Sequence, residues 1–332
     1  MLCVVTGAAG FIGSHLVEEL LRRGHTVRGI DSFVPYYPVE VKQRNRAGAA
    51  QHPHYTFFPI DLRTDPLDEA IRDADVVFHL AAMPGLVASW TQMDLYTACN
   101  VTATQRLLEA VKSHCPRLSR FIYASTSSVY GLYANGDESL PTRPVSPYGV
   151  TKLAGEHLCH AYEEAIRLPL VVLRYFSVYG PRQRPDMGYH RFIRALLQDE
   201  EITITGDGKQ VRGNTFVSDA VEATIRAVDA VPGETFNVGG GETASVWDII
   251  SRIETIVGRK ARTRMAPARP GDQRYTGADT SKIRRHLGWE PRVGLEEGLK
   301  RQIEWQRQET IPAPSTSPPS THPPTEDSRR LR

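Results

Sequence analysis

The sequence of 332 residues predicts an α/β fold, in which a doubly wound parallel sheet is joined to a smaller mixed α/β substrate-binding region. Two observations carry this prediction. Short apolar runs alternate with stretches of helical periodicity from residue 2 to residue 174, and the first alternation contains a glycine-rich turn. After residue 174 the alternation is less regular and richer in Arg, Gly and Pro, which indicates a second, substrate-facing region.

The first alternation begins at the N-terminus. Leu2–Thr6 reads as a buried strand, residues 7–13 as a tight turn and residues 14–23 as a helix. A second strand, Thr26–Ile30, ends at Asp31. Glycines let the backbone approach a pyrophosphate, a helix N-terminus favours negative charge, and an acid ~20 residues further on binds ribose hydroxyls. The segment therefore predicts a dinucleotide site, in which the negative charge of Asp31 repels a 2′-phosphate and favours NAD over NADP. The residues assigned to it are Gly7, Gly10, Phe11, Ile12, Gly13 and Asp31.

The remaining alternation completes the predicted sheet. Further strands are expected at 55–59, 75–80, 120–124 and 170–174, with helices that include 101–113 and 148–167. We therefore divide the chain into a dinucleotide-binding domain, a substrate-binding region and a tail rich in Pro, Ser and Thr that is predicted to be disordered. The domain spans 1–174 with a return at about 212–240, the substrate-binding region spans 175–211 and 241–310, and the tail spans 311–332.

Composition excludes several classes of protein. A net charge of +2 on a mixed background gives no reason to expect nucleic acid or a lipid surface as a partner. No segment approaches the ~20 apolar residues of a membrane span, and the N-terminus lacks the pattern of a signal peptide. The cysteines have no CxxC pair and no His spacing typical of zinc, so we expect no metal site and a reducing, cytoplasmic location. They are Cys3, Cys99, Cys115 and Cys159.

Tyr148 and Lys152 form the most informative pair in the chain. Ser146 can cap a helix that starts at Pro147, so Tyr148 and Lys152 lie one helical turn apart on one face. A phenol is normally protonated near pH 7, but a neighbouring cation lowers the free energy of the phenolate. The pair is therefore suited to proton transfer, although Tyr four residues before Lys is common on ordinary helix surfaces.

A series of motifs in order makes this interpretation specific. They are Gly7/Gly10/Gly13, Asp31, Asp61-Leu-Arg63, His79-Leu-Ala-Ala82, Asn100, Ser125-Thr-Ser-Ser-Val-Tyr-Gly131, Tyr148-Gly-Val-Thr-Lys152, Arg174-Tyr-Phe-Ser-Val-Tyr-Gly-Pro181, Arg269-Pro-Gly-Asp272 and Ala278-Asp279. With them the chain resembles the extended short-chain dehydrogenase/reductases, in particular the NAD-dependent nucleotide-sugar epimerases and dehydratases, over about residues 2–305. The resemblance implies a Rossmann fold, NAD as cofactor and a UDP-sugar as substrate. It also implies a homodimer formed by the helices at 101–113 and 149–167.

The resemblance also implies individual roles. Asp61 and Leu62 would lie beside the adenine of NAD, and Lys152 would hold the nicotinamide ribose while lowering the pKa of Tyr148. Thr126 would lie beside the sugar 4-hydroxyl. The other cofactor-binding residues carried over from the family are Leu80, Ala81, Ala82 and Asn100.

In such enzymes the Tyr phenolate takes a proton from the sugar 4-hydroxyl while C4 passes a hydride to NAD, which gives a 4-keto sugar. Dehydratases of the family carry Asp-Glu directly after the catalytic Thr, and decarboxylases usually keep Glu in the second place. This chain has Ser127 and Ser128 there. Without those proton carriers the expected outcome is return of the hydride to the other face of the ketone, which is epimerisation at C4.

The substrate is expected to carry a carboxylate at C5. The stretch from Tyr179 to Met187 and the run Thr126-Ser-Ser128 resemble those of the UDP-glucuronate 4-epimerases. Hydroxyls of Ser127, Ser128 and Ser177, with the charge of Arg184, would bind that carboxylate. We hypothesise that the three serines also suppress decarboxylation of the 4-keto acid. The expected reaction is UDP-glucuronate to UDP-galacturonate.

Arg212 and Arg269 match the family's diphosphate-binding arginines, and Asp272 would touch ribose or orient Arg269. Val87 stands where relatives often have a basic residue. Three alternatives remain open: a UDP-glucuronate decarboxylase (UDP-xylose synthase), a neutral UDP-hexose 4-epimerase, and a non-catalytic NAD-binding scaffold. A scaffold would be free to lose the catalytic residues, yet all of them are present.

Overall fold

Seven parallel strands form the central sheet of the computed structural model, which describes residues 1–310. The tail predicted at 311–332 lies outside the described residues. The strands are β1 Leu2–Thr6, β2 Thr26–Ile30, β3 Tyr55–Phe58, β4 Val76–His79, β5 Arg120–Thr126, β6 Tyr133–Gly136, β7 Leu170–Tyr175, β8 Ser177–Tyr179, β9 Glu201–Thr205, β10 Val211–Phe216, β11 Glu234–Val238, β12 Thr243–Ser245, β13 Arg262–Ala266 and β14 Tyr275–Ala278. The helices are α1 Phe11–Arg22, α2 Val39–Ala47, α3 Asp68–Ile71, α4 Met93–Thr97, α5 Ala103–His114, α6 Pro147–Ile166, α7 Gly188–Gln198, α8 Val217–Arg226, α9 Val246–Val257, α10 Ser281–Leu287 and α11 Leu295–Thr310.

The order of strands in the central sheet is β11-β7-β5-β4-β1-β2-β3, with every neighbouring pair parallel. The chain starts in the middle at β1, builds β2 and β3 to one side and then crosses to β4 on the other. The predicted doubly wound fold is confirmed. In such sheets the crevice for a ligand lies at the carboxyl ends of the strands, where the direction of winding reverses. Here that point lies between β1 and β4.

The central sheet is buried on both faces. Cys3 and Val5 of β1 belong to one hydrophobic core, and Val4 between them belongs to a second core on the opposite face. All three are 0% exposed. This explains why the strands read as continuous apolar runs rather than as an alternating pattern.

A second set of strands lies outside the central sheet. β12, β10, β14 and β6 pair in that order, β8 pairs with β10, and β13 pairs with β9. The β8–β10 ladder sets Ser177 opposite Asn214, two residues from Arg212. The chain returns to the central sheet at β11, beside β7. The division into a dinucleotide-binding domain and a substrate-binding region stays a prediction.

Among residues 1–310, no helix combines the length and the apolar character needed to cross a membrane.

Candidate active site

A cavity of about 1000 Å³ lies across the carboxyl ends of the central strands. Segments that follow β1, β2, β4, β5 and β7 line it from one side, and α7, β10 and the loop before β14 line it from the other. Of the predicted site residues, Asn100 alone does not line this cavity. Its side chain is 0% exposed and bonds to the Met83 main chain, with 2.6 Å from Met83 N to Oδ1, and to Thr151. Asn100 therefore holds the cavity-lining segment at Met83, and its predicted part in cofactor binding stays a prediction.

The glycine turn leaves room that a side chain would fill. A Cβ on Gly13 would lie 2.1 Å from the carbonyl oxygen of Gly7. Gly7 has φ +72°, and a Cβ there would lie 2.9 Å from Ala81 N. Helix α1 follows directly, with Gly10 at its N-cap and no capping side chain. The first N–H groups of α1 are therefore available to an anion.

Asp31, at the end of β2, accepts hydrogen bonds from Ala9 N at 3.2 Å and Phe33 N at 2.8 Å. Its Oδ1 lies 3.5 Å from Nζ of Lys42 in helix α2, and both side chains are largely buried. Sequence reasoning missed Lys42, because nothing in its local pattern distinguishes it from a surface lysine. Since this ammonium partly neutralises Asp31, the carboxylate repels a 2′-phosphate less than its charge alone suggests.

Asp61 lies further along the same side of the cavity. Arg63 binds its carboxylate, with 2.6 Å between Nη2 and Oδ2, and this hydrogen bond lowers the pKa of Asp61.

Tyr148 and Lys152 lie in the first two turns of α6, as predicted. Ser146 caps the helix by accepting from Gly149 N at 3.1 Å, and Pro147 occupies the first turn. The Thr126 side chain, at the end of β5, lies close enough to the Tyr148 phenol to lower its pKa. Thr126 Oγ1 accepts from Ser128 N at 3.2 Å, so its own hydroxyl proton remains available to an acceptor.

Burial is the largest influence and raises the pKa of Tyr148 above its ordinary value, while the Thr126 side chain and the charge of Arg184 partly offset this rise. Arg184 is the cation whose charge acts on the phenol in this structure. Lys152 Nζ lies 4.2 Å from the centroid of the Tyr123 ring, and its predicted effect on the pKa of Tyr148 stays a prediction. Lys152 is 3% exposed, burial lowers its pKa to about 8, and Nζ makes no hydrogen bond to any described residue.

The three serines expected near the substrate carboxylate line the same cavity. Ser127 donates to Oε1 of Gln273 at 3.4 Å, whereas the hydroxyls of Ser128 and Ser177 make no hydrogen bond within residues 1–310. Gln273 was missed by the sequence reasoning. Its amide bonds to the Ser127 and Gly131 carbonyls at 3.1 and 2.8 Å, which fixes the turn that follows Thr126.

Arg184 lines the cavity with its charge already paired. Nε and Nη2 donate to Oδ1 and Oδ2 of Asp186 at 3.0 and 2.9 Å. The guanidinium keeps Nη1 for another acceptor.

Arginines gather at the end of the cavity away from the glycine turn. Arg212 Nη2 donates to Oδ1 of Asp272 at 2.7 Å. Asp272 therefore orients Arg212, whereas its contact with Arg269 is a backbone hydrogen bond, from Asp272 N to the Arg269 carbonyl. The predicted role of Asp272, to touch ribose or orient Arg269, stays a prediction. Arg191 is an additional lining residue, and burial and the nearby charge of Arg269 lower its pKa. A cation at the start of α7 opposes the helix dipole, which is the feature of the sequence that distinguishes Arg191.

Comparisons with known proteins agree with this geometry. The sequence profile of the NAD dependent epimerase/dehydratase family matches residues 3–239. The chain belongs to this family. A Bacillus subtilis protein described as an uncharacterised UDP-glucose epimerase is 46% identical over 91% of this chain and 97% of its own length. The UDP-glucuronate 4-epimerase of Thermodesulfobacterium geofontis is 36% identical over 92% and 96%.

A solved structure of the family is similar over almost the whole described fold. The UDP-glucuronic acid 4-epimerase of Bacillus cereus, in complex with UDP-glucuronic acid and NAD, is 43% identical with a TM-score of 0.90. The match covers 93% of this chain and all of that one. Arg269 and Asp272 lie beyond the residues that match the family profile, and their assigned roles stay predictions.

The residues of this family member fit NAD on three observations. A Cβ at Gly13 would fill the cradle beside Gly7, the N-terminus of α1 has no capping side chain, and the buried Lys152 ammonium, which lies over the Tyr123 ring, has no hydrogen-bond partner among the described residues. The cradle and helix N-terminus would hold the pyrophosphate, and Lys152 would bind ribose hydroxyls.

Proposed function

We propose that this protein converts UDP-glucuronate to UDP-galacturonate by epimerisation at C4, through a 4-keto intermediate and without loss of CO2. One observation carries the proposal. The hydroxyls of Ser128 and Ser177, which make no hydrogen bond within residues 1–310, share a cavity with Thr126 and Tyr148, and the two positions directly after Thr126 hold serines in place of carboxylates. A cluster of neutral donors suits a carboxylate, whereas a CH2OH group has no need of it.

The proton at the sugar 4-hydroxyl passes to Tyr148. The neighbouring Thr126 side chain and the positive charge of Arg184 both favour the phenolate, against the opposing effect of burial. NAD, when bound, accepts the hydride from C4 and returns it. Tyr148 then gives the proton back to the oxygen of the reduced sugar, so a single side chain serves as base and as acid.

The fate of the 4-keto sugar depends on which side chains lie beside it. Elimination or proton transfer at C5 needs an acid and a base, and the positions after Thr126 hold Ser127 and Ser128 instead. A 4-keto uronic acid loses CO2 most readily when its C5–carboxylate bond is perpendicular to the carbonyl plane. Serine donors that hold the carboxylate in another orientation protect it during rotation of the ketone.

A second candidate is a neutral UDP-hexose 4-epimerase. Asp186 takes two donors of Arg184 and balances its charge, which lowers its attraction for a substrate carboxylate. The described activity of the Bacillus subtilis relative also points to a neutral sugar. The two candidates differ in the sugar that is turned over.

The deciding experiment is incubation of the purified protein and NAD with UDP-glucuronate, and separately with UDP-glucose, followed by product identification by chromatography and NMR. UDP-galacturonate without CO2 supports the proposal. Release of CO2 with a UDP-pentose would identify a decarboxylase, and turnover of UDP-glucose alone would identify a neutral-sugar enzyme. The Tyr148→Phe variant is the control, since it retains the ring but loses the acid–base group.

We also propose that the protein is a cytoplasmic homodimer that pairs through α5 and α6. Val150 near the start of α6 is 46% exposed, and Ala161 on the same helix is exposed as well. Light scattering of the wild-type protein should give twice the mass of one chain. The Ala161→Arg variant should give the mass of a single chain. Cell fractionation tests the location.

A further inference from the structure

The loop after β2 begins at Asp31, in the predicted NAD site, and also contacts the segment that carries Arg184, which is expected to bind the sugar. Its run Val34-Pro-Tyr-Tyr-Pro38 follows Asp31, and Val34 and Tyr37 line the cavity together with Asp31. Phe33 has φ +54°, a conformation that an aromatic residue rarely adopts. The Asp31 carboxylate holds it by accepting from Phe33 N at 2.8 Å. The carboxylate expected at the NAD ribose therefore also sets the direction of this loop.

Tyr36 is a cavity-lining residue that connects this loop to two other segments. Its hydroxyl lies 3.5 Å from Oδ2 of Asp186. It also lies against Gly85, since a Cβ there would be 2.2 Å from Tyr36 Oη. Gly85 has φ +92°, so both the backbone and the close approach require glycine. Tyr36, in the segment after β2, thus contacts the segment after β4 and the segment before α7.

Asp186 connects Tyr36 to Arg184. The Asp186 carboxylate accepts from Nε and Nη2 of Arg184 at 3.0 and 2.9 Å, and the guanidinium carbon lies 5.8 Å from the centroid of the Tyr36 ring. The Arg184 side chain is only 18% exposed. Two hydrogen bonds on one edge and a ring beside the guanidinium restrict the orientation of its remaining donor.

Tyr96 connects the same segment to the catalytic phenol. Its hydroxyl donates to the carbonyls of Pro84 and Gly85 at 2.5 and 2.8 Å, and the side chain is 0% exposed. Its ring packs edge-on against Tyr148, with centroids 6.3 Å apart. Gly85 therefore contacts both Tyr36 and Tyr96, and Tyr96 in turn packs against Tyr148.

We infer that Tyr36 and Asp186 are positioning residues, which hold Arg184 beside the reacting sugar and couple NAD binding at Asp31 to sugar binding at Arg184. The inference rests on the proposed function, because it assigns Arg184 to the sugar. NAD contacts that fix the conformation of the loop after β2 also fix the position of Tyr36. Tyr36 in turn limits the positions that Asp186 and Arg184 can adopt. NAD should therefore strengthen binding of the sugar part of the substrate more than binding of UDP.

The test measures this coupling by calorimetry. Dissociation constants of UDP-glucuronate and of UDP are determined with and without NAD, in a Tyr148→Phe background that prevents turnover. Tyr36→Ala and Asp186→Asn are compared with Tyr133→Ala and Asp207→Asn. Tyr133 is 61% exposed, and Asp207 forms a surface pair with Arg274 at 2.7 Å; neither lines the cavity. Thermal melting checks that each variant is folded.

Both test variants should reduce the factor by which NAD strengthens UDP-glucuronate binding roughly tenfold, within the usual range of coupling between sites. The factor by which NAD strengthens UDP binding should be unchanged in the test variants. The two control variants should leave the factors for both ligands unchanged. Because the coupling is a ratio, a direct effect of Asp186→Asn on the charge of the site cancels from it. If the factor for UDP-glucuronate is unchanged in both test variants, the inference is overturned and the proposed function is not affected. A background protein that binds UDP-glucuronate no better than UDP contradicts the proposed function, and the inference is overturned with it.

Discussion

Arg174 and Glu156 form a two-point ion pair beneath the catalytic residues. Nη2 and Nε of Arg174 lie 2.8 and 3.1 Å from Oε2 and Oε1 of Glu156. Glu156 is 2% exposed and Arg174 8% exposed. Burial alone would lower the Arg174 pKa, but the hydrogen bonds and the charge of Glu156 raise it. Ser125, the neighbour of Thr126, donates its hydroxyl to Glu156, so the pair joins α6, which carries Tyr148, to β5 and β7.

Removing one partner of this pair should destabilise the protein strongly. Glu156→Gln keeps the shape of the side chain but leaves the Arg174 charge buried without compensation, which typically costs about 3–5 kcal/mol. Urea unfolding measures the loss. Glu164→Gln, on an exposed position of the same helix, is the control and should change the free energy of unfolding by less than ~0.5 kcal/mol. Equal effects of the two substitutions would show that the ion pair is not a source of stability.

Gly13→Ala should damage the dinucleotide cradle. The added Cβ would lie 2.1 Å from the Gly7 carbonyl oxygen, a backbone atom that cannot move without distorting the turn. Alanine is the better helix former by about 1 kcal/mol, so a helix effect alone would stabilise the variant. We expect instead a destabilisation of about 1–3 kcal/mol, as in other overpacked sites, with weaker NAD binding. Melting and NAD titration check both.

The control is Gly294→Ala, because a Cβ on Gly294 meets no atom within 4 Å. If Gly13→Ala behaves like Gly294→Ala in stability and NAD affinity, then the turn tolerates a side chain and the cradle is not close-fitting.

Features with a local pattern were predictable from the sequence. The buried strands appear as continuous apolar runs, and the spacing of Tyr148 and Lys152 follows from one turn of helix. Contacts between distant segments were not predictable, because no local pattern encodes them. Arg212 pairs with Asp272, sixty positions away, and Gln273 fixes the turn after Thr126. The direction of the Lys152 side chain toward Tyr123 also depends on packing between α6 and β5.

Lys152 should make stability depend on pH in alkaline solution. Burial lowers its folded pKa from 10.5 to about 8. Between these values the unfolded chain binds more protons than the folded protein, so this contribution to the free energy of unfolding rises with pH. The destabilisation that comes from burying the charged ammonium is fully present below about pH 8 and is relieved as pH rises toward 10.5.

The measurement is urea unfolding of NAD-free protein from pH 7 to pH 10, with the wild type compared with Lys152→Met. Methionine removes the buried charge, so the variant should be more stable at pH 7 by an amount on the order of 3 kcal/mol. That difference should shrink as pH rises. Lys209→Met, at an exposed position, is the control substitution. A constant difference for Lys152→Met would mean that the ammonium is not destabilised by burial.

The serines after Thr126 should control which product forms from UDP-glucuronate. Ser127→Ala, Ser128→Ala and Ser177→Ala each remove one donor to the substrate carboxylate, so the C5–carboxylate bond reaches the perpendicular orientation more often. A hydrogen bond to a charged group contributes about 1.5–3 kcal/mol, so the ratio of decarboxylated to epimerised product should rise roughly tenfold or more. Carbon dioxide released from carboxyl-labelled substrate, measured against UDP-galacturonate formed, gives that ratio.

Ser139→Ala is the matched control, since Ser139 is exposed on the turn after β6 and does not line the cavity. Ser128 and Ser177 should have the larger effects, because their hydroxyls have no partner among the described residues, whereas Ser127 also donates to Gln273. An unchanged ratio in all three variants would mean that the serines bind the carboxylate without restricting its rotation, or do not bind it. In either case protection against decarboxylation would have to come from Arg184, whose remaining donor Nη1 lies in the same cavity.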